Sequence, residues 1–231
     1  MNGKKQMVRE MFDDISPRYD FLNHFLSFGT DFHWRAKFVR MLAKHHPDII
    51  LDIATGTGDL AIAMMKIKPE KVIGMDISEK MLEVGKRKIK LKNLDQMIEL
   101  KKGDAENLPF PDETFDAVTV AFGVRNYEDL EKGLSEMRRI LKPGGVMQIL
   151  EFSKPGSAIV RGFYGLYSAI VIPLAGKIIS GNKNAYTYLP ESVAAFPSGN
   201  QFLEIMKKTG MNNLVHTPLT FGIASVYSGI K

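Results

Sequence analysis

The sequence predicts an α/β fold in which seven strands form a mostly parallel sheet covered by helices. Between residues 49 and 155, apolar runs typical of buried strands alternate with amphipathic helical patterns, as in successive βαβ units. A glycine-rich turn, Gly56-Thr57-Gly58, follows the first strand. Two further alternating segments, at about 213–218 and 222–229, predict a terminal hairpin on the sheet edge. The other strands are predicted at 49–54, 71–76, 97–103, 115–122 and 145–152, and helices at 59–66, 78–91, 128–141 and 198–209.

The composition limits the class of protein. A chain of 231 residues, 45% of them hydrophobic, can bury one full core, so we treat 1–231 as a single domain. It contains no uncharged apolar run of about 18 residues, as a membrane span would need. The polar, lysine-rich Met1 to Arg9 stretch is not typical of a signal peptide. The absence of cysteine excludes disulfides and thiol chemistry and is consistent with a cytoplasmic location.

The charge of the chain is mildly basic, at +5. This value is compatible with an acidic ligand or an anionic membrane surface. The main basic run, residues 86–92, has no interleaved aromatic residues, which a groove for single-stranded nucleic acid would need. We therefore predict a solvated helix face there and no nucleic-acid partner. The histidines lack metal-type spacing with carboxylates, so no metal site is predicted.

The N-terminal segment, residues 1–46, predicts several short helices. Apolar residues fall at helical spacing near its start: Val8, Met11, Phe12 and Ile15. Pro17 interrupts this pattern, an aromatic-rich stretch follows at 21–29, and a further helix continues to about Ala43. Two interpretations are possible, a helical layer packed on the sheet or a cover over an apolar substrate, and we adopt the substrate cover for residues 1–46.

The glycine-rich turn predicts a ligand site. It brings backbone N–H groups and a helix N-terminus to one point, and Gly56 and Gly58 allow a ligand to approach the backbone. Asp76 stands 20 residues after Gly56, at the end of the next strand, where a carboxylate is placed to bind ribose hydroxyls. A tight turn without a ligand is the alternative.

The turn leaves two cofactors open. Gly56 to Ala61 satisfies the pattern G-x-G-x-x-A, which is compatible with a dinucleotide. S-adenosylmethionine is the second candidate, because its adenosine needs the same ribose carboxylate but it has no pyrophosphate. Asp52 precedes the glycines and favours the second candidate, since a carboxylate is a better neighbour for an ammonium or sulfonium than for a pyrophosphate.

Two further strand ends carry candidate site residues. Asp104 is placed to accept from the exocyclic amine of an adenine, and Ala105 leaves room for the ring; a turn cap is the alternative for Asp104. Arg125 follows the fourth strand, where the reacting centre is expected. It could stabilise an oxyanion or hold a water that takes a proton. A salt bridge to Asp104 or Glu151 is the competing interpretation.

Residues 156–190 leave the βα pattern. Their first part is apolar and aromatic, which is compatible with core packing, a dimer face, a lid or an in-plane membrane contact. Of these we adopt a helical insertion that covers the substrate. A polar, tyrosine-rich loop is predicted next, with Asn182, Asn184, Tyr186 and Tyr188. The remainder, 191–231, is assigned to the terminal helix and strands.

Taken together, the motifs resemble S-adenosylmethionine-dependent methyltransferases of the seven-stranded Rossmann-like class. Within that class the chain closely resembles the bacterial menaquinone and ubiquinone biosynthesis C-methyltransferases, over nearly its whole length. Residues 18–29 with Trp34 resemble the N-terminal signature of that family, and residues 139–155 resemble its second signature. Shorter matches lie at 122–126, 186–192 and Phe196-Pro197.

The resemblance implies a reaction and a set of site residues. The methyl group of S-adenosylmethionine would move to a ring carbon of a prenylated quinol, most directly demethylmenaquinol. The cofactor would contact Thr57, Asp76 and the pair Asp104-Ala105. Arg125, with Asn126 and Tyr19, would activate the quinol.

The resemblance leaves several alternatives. The benzoquinol step of ubiquinone biosynthesis is one, and another small lipid or phenol acceptor is the next. A nicotinamide oxidoreductase and a non-catalytic accessory subunit are rivals from other classes. A lipid-soluble substrate also implies transient contact of a cytoplasmic protein with the inner face of the membrane, and a homodimer remains open.

Overall fold

The computed structural model describes residues 3–157, 162, 165 and 183–231. Within these residues seven strands form one sheet in the order β3-β2-β1-β4-β5-β7-β6. The strands are β1 (Ile49–Ile53), β2 (Lys71–Asp76), β3 (Ile98–Lys102), β4 (Phe115–Ala121), β5 (Leu141–Phe152), β6 (Asn212–Leu219) and β7 (Ala224–Ile230). β1 to β5 pair in parallel, and β7 pairs antiparallel with both β5 and β6. The predicted seven-stranded, mostly parallel sheet is confirmed.

The central strands are apolar because helices cover both faces of the sheet. In β1, Ile50 and Leu51 are fully buried, and Ile50 lies between Val72 of β2 and Ala117 of β4. Since parallel strands are joined by crossovers, the carboxyl ends of β1 to β5 meet at one edge of the sheet. That edge is where the predicted site residues are placed.

The helices of the described chain form two layers on the sheet. They are α1 (Lys4–Ile15), α2 (Tyr19–Leu26), α3 (Thr30–Leu42), α4 (Asp59–Met64), α5 (Glu79–Leu91), α6 (Leu130–Ile140), α7 (Lys183–Ala195) and α8 (Asn200–Lys208). α6 and α8 pack on one face, and α3, α4 and α5 pack on the other. A third cluster, Ile15, Leu22 and Met81, joins α1 and α2 to α5. Among the described helices, none has the length and hydropathy of a bilayer span.

One strand begins earlier than predicted. The predicted strand 145–152 corresponds to β5, which begins at Leu141 and includes the turn-forming residues Pro143, Gly144 and Gly145. The register of pairing with β4 shifts there, from Phe115–Leu141 to Ala117–Val146. The residues between Leu141 and Val146 therefore form a bulge within the strand. Gly144 supplies the left-handed backbone that this bulge requires, with φ of 79°.

The prediction of a tyrosine-rich loop was wrong, because Lys183–Ala195 is helical. Asparagine and Pro190 favour a loop locally. The helix is fixed instead by tertiary contacts: Val193 and Ser192 are buried, and Tyr188 donates a hydrogen bond to Asn126. Most of the predicted lid at 156–190 lies outside the described residues, as does the side chain of Tyr186.

Candidate active site

A cavity opens at the carboxyl ends of β1 to β4, under α1 and α2. It contains about 730 Å³ of empty space, part of it open to solvent. Its walls include Lys5, Val8 and Phe12 of α1. The cavity brings together six of the predicted site residues: Tyr19, Gly56, Asp76, Asp104, Ala105 and Asn126.

Asp76 organises the glycine-rich turn. Its Oδ2 accepts a hydrogen bond from the backbone N–H of Gly56 at 2.8 Å, and its Oδ1 accepts one from that of Ser78 at 2.8 Å. Burial raises the pKa of Asp76, and the nearby Asp13 carboxylate raises it further. Each carboxylate oxygen has a second acceptor position, so Asp76 can hold the turn and still bind a ligand hydroxyl.

Asp104 is held by a residue that the sequence did not single out. Lys5 donates to Asp104 Oδ2 at 2.6 Å and to Glu106 Oε2 at 3.2 Å. The neighbouring Lys4 donates to the backbone carbonyls of Arg125 and Tyr127. Through these bonds the two lysines hold α1 against the loops that follow β3 and β4, at the mouth of the cavity. In the sequence, the helical spacing of Val8 and Phe12 was the one indication that α1 packs against this site.

Thr57 and Gly58 shape the turn from behind. Thr57 is buried, and its Oγ1 donates to Asp20 Oδ1 at 2.5 Å. Lys88 donates to Asp20 Oδ2 at 2.7 Å and to Thr57 Oγ1 at 3.2 Å, and it also pairs with Asp59. This network ties α2 to the turn. Gly58 precedes α4 with φ of 79°, a left-handed conformation that favours glycine.

Asp52 lies inside the protein and is not part of the cavity wall. Only 1% of it is exposed, and its carboxylate accepts hydrogen bonds from the hydroxyls of Thr55 at 2.6 Å and Thr119 at 2.9 Å. Burial raises the pKa of Asp52 to about 7. The predicted contact of this carboxylate with a cationic ligand therefore receives no geometric support, although Asp52 supports the turn through Thr55.

The raised pKa of Asp52 predicts an effect on stability. The folded protein favours the protonated form, so its contribution is complete below the unfolded pKa and is lost as pH rises toward about 7. The loss from this group alone is on the order of 4 kcal/mol. We expect Asp52→Asn to flatten the fall in the free energy of unfolding, measured by urea denaturation between about pH 4.5 and about pH 7.5. An unchanged slope in the variant would contradict this.

Arg125 lies in the 3₁₀ turn after β4 (Val124–Asn126) and forms a buried ion pair. Its Nη1 donates to Glu151 Oε1 at 2.9 Å, with the two side chains 7% and 0% exposed. The guanidinium also donates to the carbonyl of Phe122 and to Ser192 Oγ. Of the two salt-bridge partners left open by the sequence, Glu151 is the one found. Arg125 lies behind the cavity wall. Burial raises the pKa of Tyr19, and the positive charge of Arg125 partly opposes that rise.

Two tyrosines near Asn126 were missed as site residues. Tyr188 Oη donates to Asn126 Oδ1 at 3.0 Å. Tyr127 contributes to the cavity wall and is 8% exposed. Its hydroxyl is buried and has no hydrogen-bond partner in the described part of the chain. Because an unsatisfied buried hydroxyl is costly, a polar ligand atom could supply the missing partner.

The cavity fits an adenosine-containing ligand without a pyrophosphate. Three carboxylates, Asp76, Asp104 and Glu106, face one lysine, Lys5, in its wall. This balance disfavours a pyrophosphate and favours a ligand that carries a positive sulfonium or ammonium. Carboxylates are acceptors of the kind that ribose hydroxyls and an adenine amine would need. The contacts expected of Asp76 and Asp104 with such a ligand stay predictions.

The fold is the Rossmann-like fold of S-adenosylmethionine-dependent methyltransferases. The crystal structure of a possible histamine N-methyltransferase from Thermotoga maritima, described as S-adenosylmethionine-dependent, superposes with a TM-score of 0.66. It is 22% identical in sequence, and the match covers 96% of this chain and 99% of that one. A likeness at this identity establishes the fold alone.

The chain belongs to the ubiE/COQ5 methyltransferase family, whose model matches residues 1–231. It is 46% identical to the demethylmenaquinone methyltransferase of Bacteroides fragilis, over 100% of this chain and 95% of the relative. It is 44% identical to the ubiquinone/menaquinone biosynthesis C-methyltransferase of Geobacter sulfurreducens, over 100% and 91%. The predicted family and the predicted S-adenosylmethionine-dependent methyltransferase are confirmed, which decides between the two cofactors left open by the glycine motif.

Proposed function

We propose that the enzyme methylates a ring carbon of a prenylated quinol, with demethylmenaquinol as the acceptor. The supporting observation is the full-length identity of 46% to a relative named demethylmenaquinone methyltransferase. The benzoquinol acceptor of ubiquinone biosynthesis is the second candidate, because the Geobacter relative is named for both quinones.

The cofactor half of the proposed site consists of carboxylates and the glycine-rich turn. S-adenosylmethionine, when bound, supplies an electrophilic methyl group. Asp76 would accept from the ribose hydroxyls, and Asp104 would accept from the adenine amine, while Lys5 could keep its bond to Glu106. Gly56, with φ of 57°, keeps the backbone open beside the ligand.

The acceptor half of the proposed site activates the quinol. A ring carbon becomes a good nucleophile when an adjacent hydroxyl loses its proton. Tyr19 and Asn126 reach the cavity and hydrogen-bond that hydroxyl, directly or through a water. Arg125, behind them in a low-dielectric region, stabilises the resulting negative charge. Transfer would form a carbon–carbon bond as the carbon–sulfur bond of the donor breaks and a neutral thioether leaves. The methylated ring carbon would then lose its hydrogen as a proton to water, which restores the aromatic quinol, while α1 and α2 would exclude bulk water.

The proposed reaction can be tested with the purified full chain. Reduced short-chain demethylmenaquinol, the matching benzoquinol and a simple phenol are each incubated with deuterated-methyl S-adenosylmethionine, and products are identified by mass spectrometry. We expect a labelled methyl group on the naphthoquinol ring. The oxidised quinone should not react, because its ring carbon is a poor nucleophile. Labelling of the phenol alone would contradict the proposal.

The acceptor also determines where the enzyme works. An isoprenoid tail partitions into lipid, since each buried methylene contributes about 0.8 kcal/mol. We therefore propose that the enzyme makes transient contact with the inner face of the membrane, where such quinols reside.

A further inference from the structure

The exposed phenylalanines of the described chain are gathered on one side of the molecule. Four are on α2, α3 and the turn between them, and the fifth is in the loop between β6 and β7. We call this set the phenylalanine rim: Phe21 (60% exposed), Phe25 (50%), Phe28 (77%), Phe32 (57%) and Phe221 (80%). Trp34 Nε1 of α3 donates to Thr220 Oγ1 of the loop at 2.7 Å, which holds the two parts of the rim together.

The phenylalanine rim is continuous with the cavity. Phe122 is part of the cavity wall, and its ring centroid lies 4.6 Å from that of Phe152 and 5.9 Å from that of Trp34. Trp34 in turn holds the rim loop through Thr220. Tyr19, the first residue of α2, is also in the cavity wall. Packed aromatic rings therefore connect the cavity wall to the loop that carries Phe221.

The charges around the rim favour a lipid surface. Residues 21–30 contain no Asp, Glu, Lys or Arg. The two acids of α2 and α3 are each ion-paired: Asp20 with Lys88 at 2.7 Å, and Asp31 with Arg35 and with His24 at 2.7 Å. Two exposed cations lie on or beside the elements that carry the rim: Arg40 on α3, and Lys154, whose backbone packs beside Gly222 of the Phe221 loop. An uncharged aromatic surface with flanking cations is typical of binding to anionic bilayers.

We infer that the phenylalanine rim is the surface by which this enzyme docks on an anionic lipid bilayer. The inference rests on the proposed prenylated acceptor and adds the residues that make the contact. Phenylalanine rings partition into the boundary between headgroups and acyl chains. Docking there places the cavity mouth at the membrane, so that the quinol ring enters the site while the isoprenoid tail remains in lipid.

Vesicle binding by the full chain tests the rim. Sedimentation is measured with vesicles of phosphatidylcholine alone and with added phosphatidylglycerol. The rim variant is Phe25→Ser, Phe28→Ser and Phe221→Ser; the matched control replaces exposed apolar residues elsewhere, Leu91→Ser, Met97→Ser and Val215→Ser. We expect wild type and control to bind the anionic vesicles, and the rim variant to lose at least about ten-fold in affinity. Equal binding by both variants would overturn the inference.

Kinetics separate the rim from the reaction itself. We expect the rim variant to methylate a water-soluble short-chain quinol like wild type, and to show a raised KM only for a long-chain quinol embedded in vesicles. Failure of wild type to methylate any quinol would refute the proposed function, whatever the vesicle result. If the rim variant instead converts a dimer to a monomer in ultracentrifugation and wild type binds no vesicle, a second copy occupies the rim and the inference is wrong.

Discussion

Removing the charge of Arg125 is expected to lower turnover by about 100- to 1000-fold, while affinity for S-adenosylmethionine stays within a few-fold. The guanidinium is 7% exposed and interacts electrostatically with Tyr19 of the cavity wall, in a region where a charge acts through a low dielectric. It is therefore placed to favour the ionised quinol more than the neutral one. Its influence on cofactor contacts such as Asp76 is expected to be smaller.

A variant that tests Arg125 must also remove the charge of its ion-pair partner, Glu151. Arg125→Ala alone leaves the buried Glu151 carboxylate without a counterion, which costs about 3–5 kcal/mol of stability. The double variant Arg125→Gln, Glu151→Gln removes both charges and keeps hydrogen-bonding groups. Single-turnover rates with a short-chain quinol, and affinity for S-adenosylmethionine by calorimetric titration, are measured for the double variant and for wild type.

Glu151→Gln alone serves as the matched control, because it keeps the cation at residue 125. We expect it to retain turnover far above that of the double variant. Near-normal turnover in the double variant, with normal cofactor affinity, would show that the charge of Arg125 has no part in activating the quinol.

Replacing Asp76 with asparagine is expected to weaken S-adenosylmethionine binding by about 100-fold, since hydrogen bonds to a charged acceptor contribute about 1.5–3 kcal/mol. One oxygen of the amide still accepts from a turn N–H, so the fold should persist. Asp116→Asn is the matched control: Asp116 also accepts from two backbone N–H groups, those of Asp48 and Ile49, but at the opposite edge of the sheet. Calorimetric titration with S-adenosylmethionine measures the affinity of both variants, and thermal melting measures their stability.

Asp76 also predicts how cofactor affinity depends on pH. Burial raises its pKa, and the ionised form is the one that could accept from two ribose hydroxyls at once. Affinity should therefore fall as pH is lowered, beginning at a higher pH than for an ordinary aspartate. Asp76→Asn should remove this dependence. Wild-type affinity in Asp76→Asn would exclude Asp76 from the cofactor site.

The sequence predicted the sheet well because its central strands are buried on both faces. Ile50, Leu51 and Val118 must be apolar wherever the neighbouring elements lie, and Gly56 and Gly58 mark a turn with positive φ. Helix α7 (Lys183–Ala195) escaped prediction because Asn184 and Pro190 are poor helix formers, and its stability depends on contacts such as that of Tyr188 with Asn126.

Side-chain partners were the less predictable part of the candidate site. Arg125 had two plausible acids, and only the packing of β5 against the turn after β4 selects Glu151. The bond between Lys5 and Asp104 joins residues 99 positions apart, and no local pattern connects them. Asp52 was placed correctly in the strand, but the side to which its carboxylate points depends on Thr119, in the adjacent strand.

The position of β7 has a consequence for protein synthesis. β7 lies between β5 and β6 in the sheet, although the ribosome makes β6 first. Ile230, at the end of β7, pairs with Val146 of β5 on one side and Asn212 of β6 on the other. Until β7 has left the exit tunnel, β5 presents an open edge and β6 has no neighbour in the sheet. The nascent chain is therefore most prone to aggregation before β7 emerges, and disruption of β7 should reduce soluble yield.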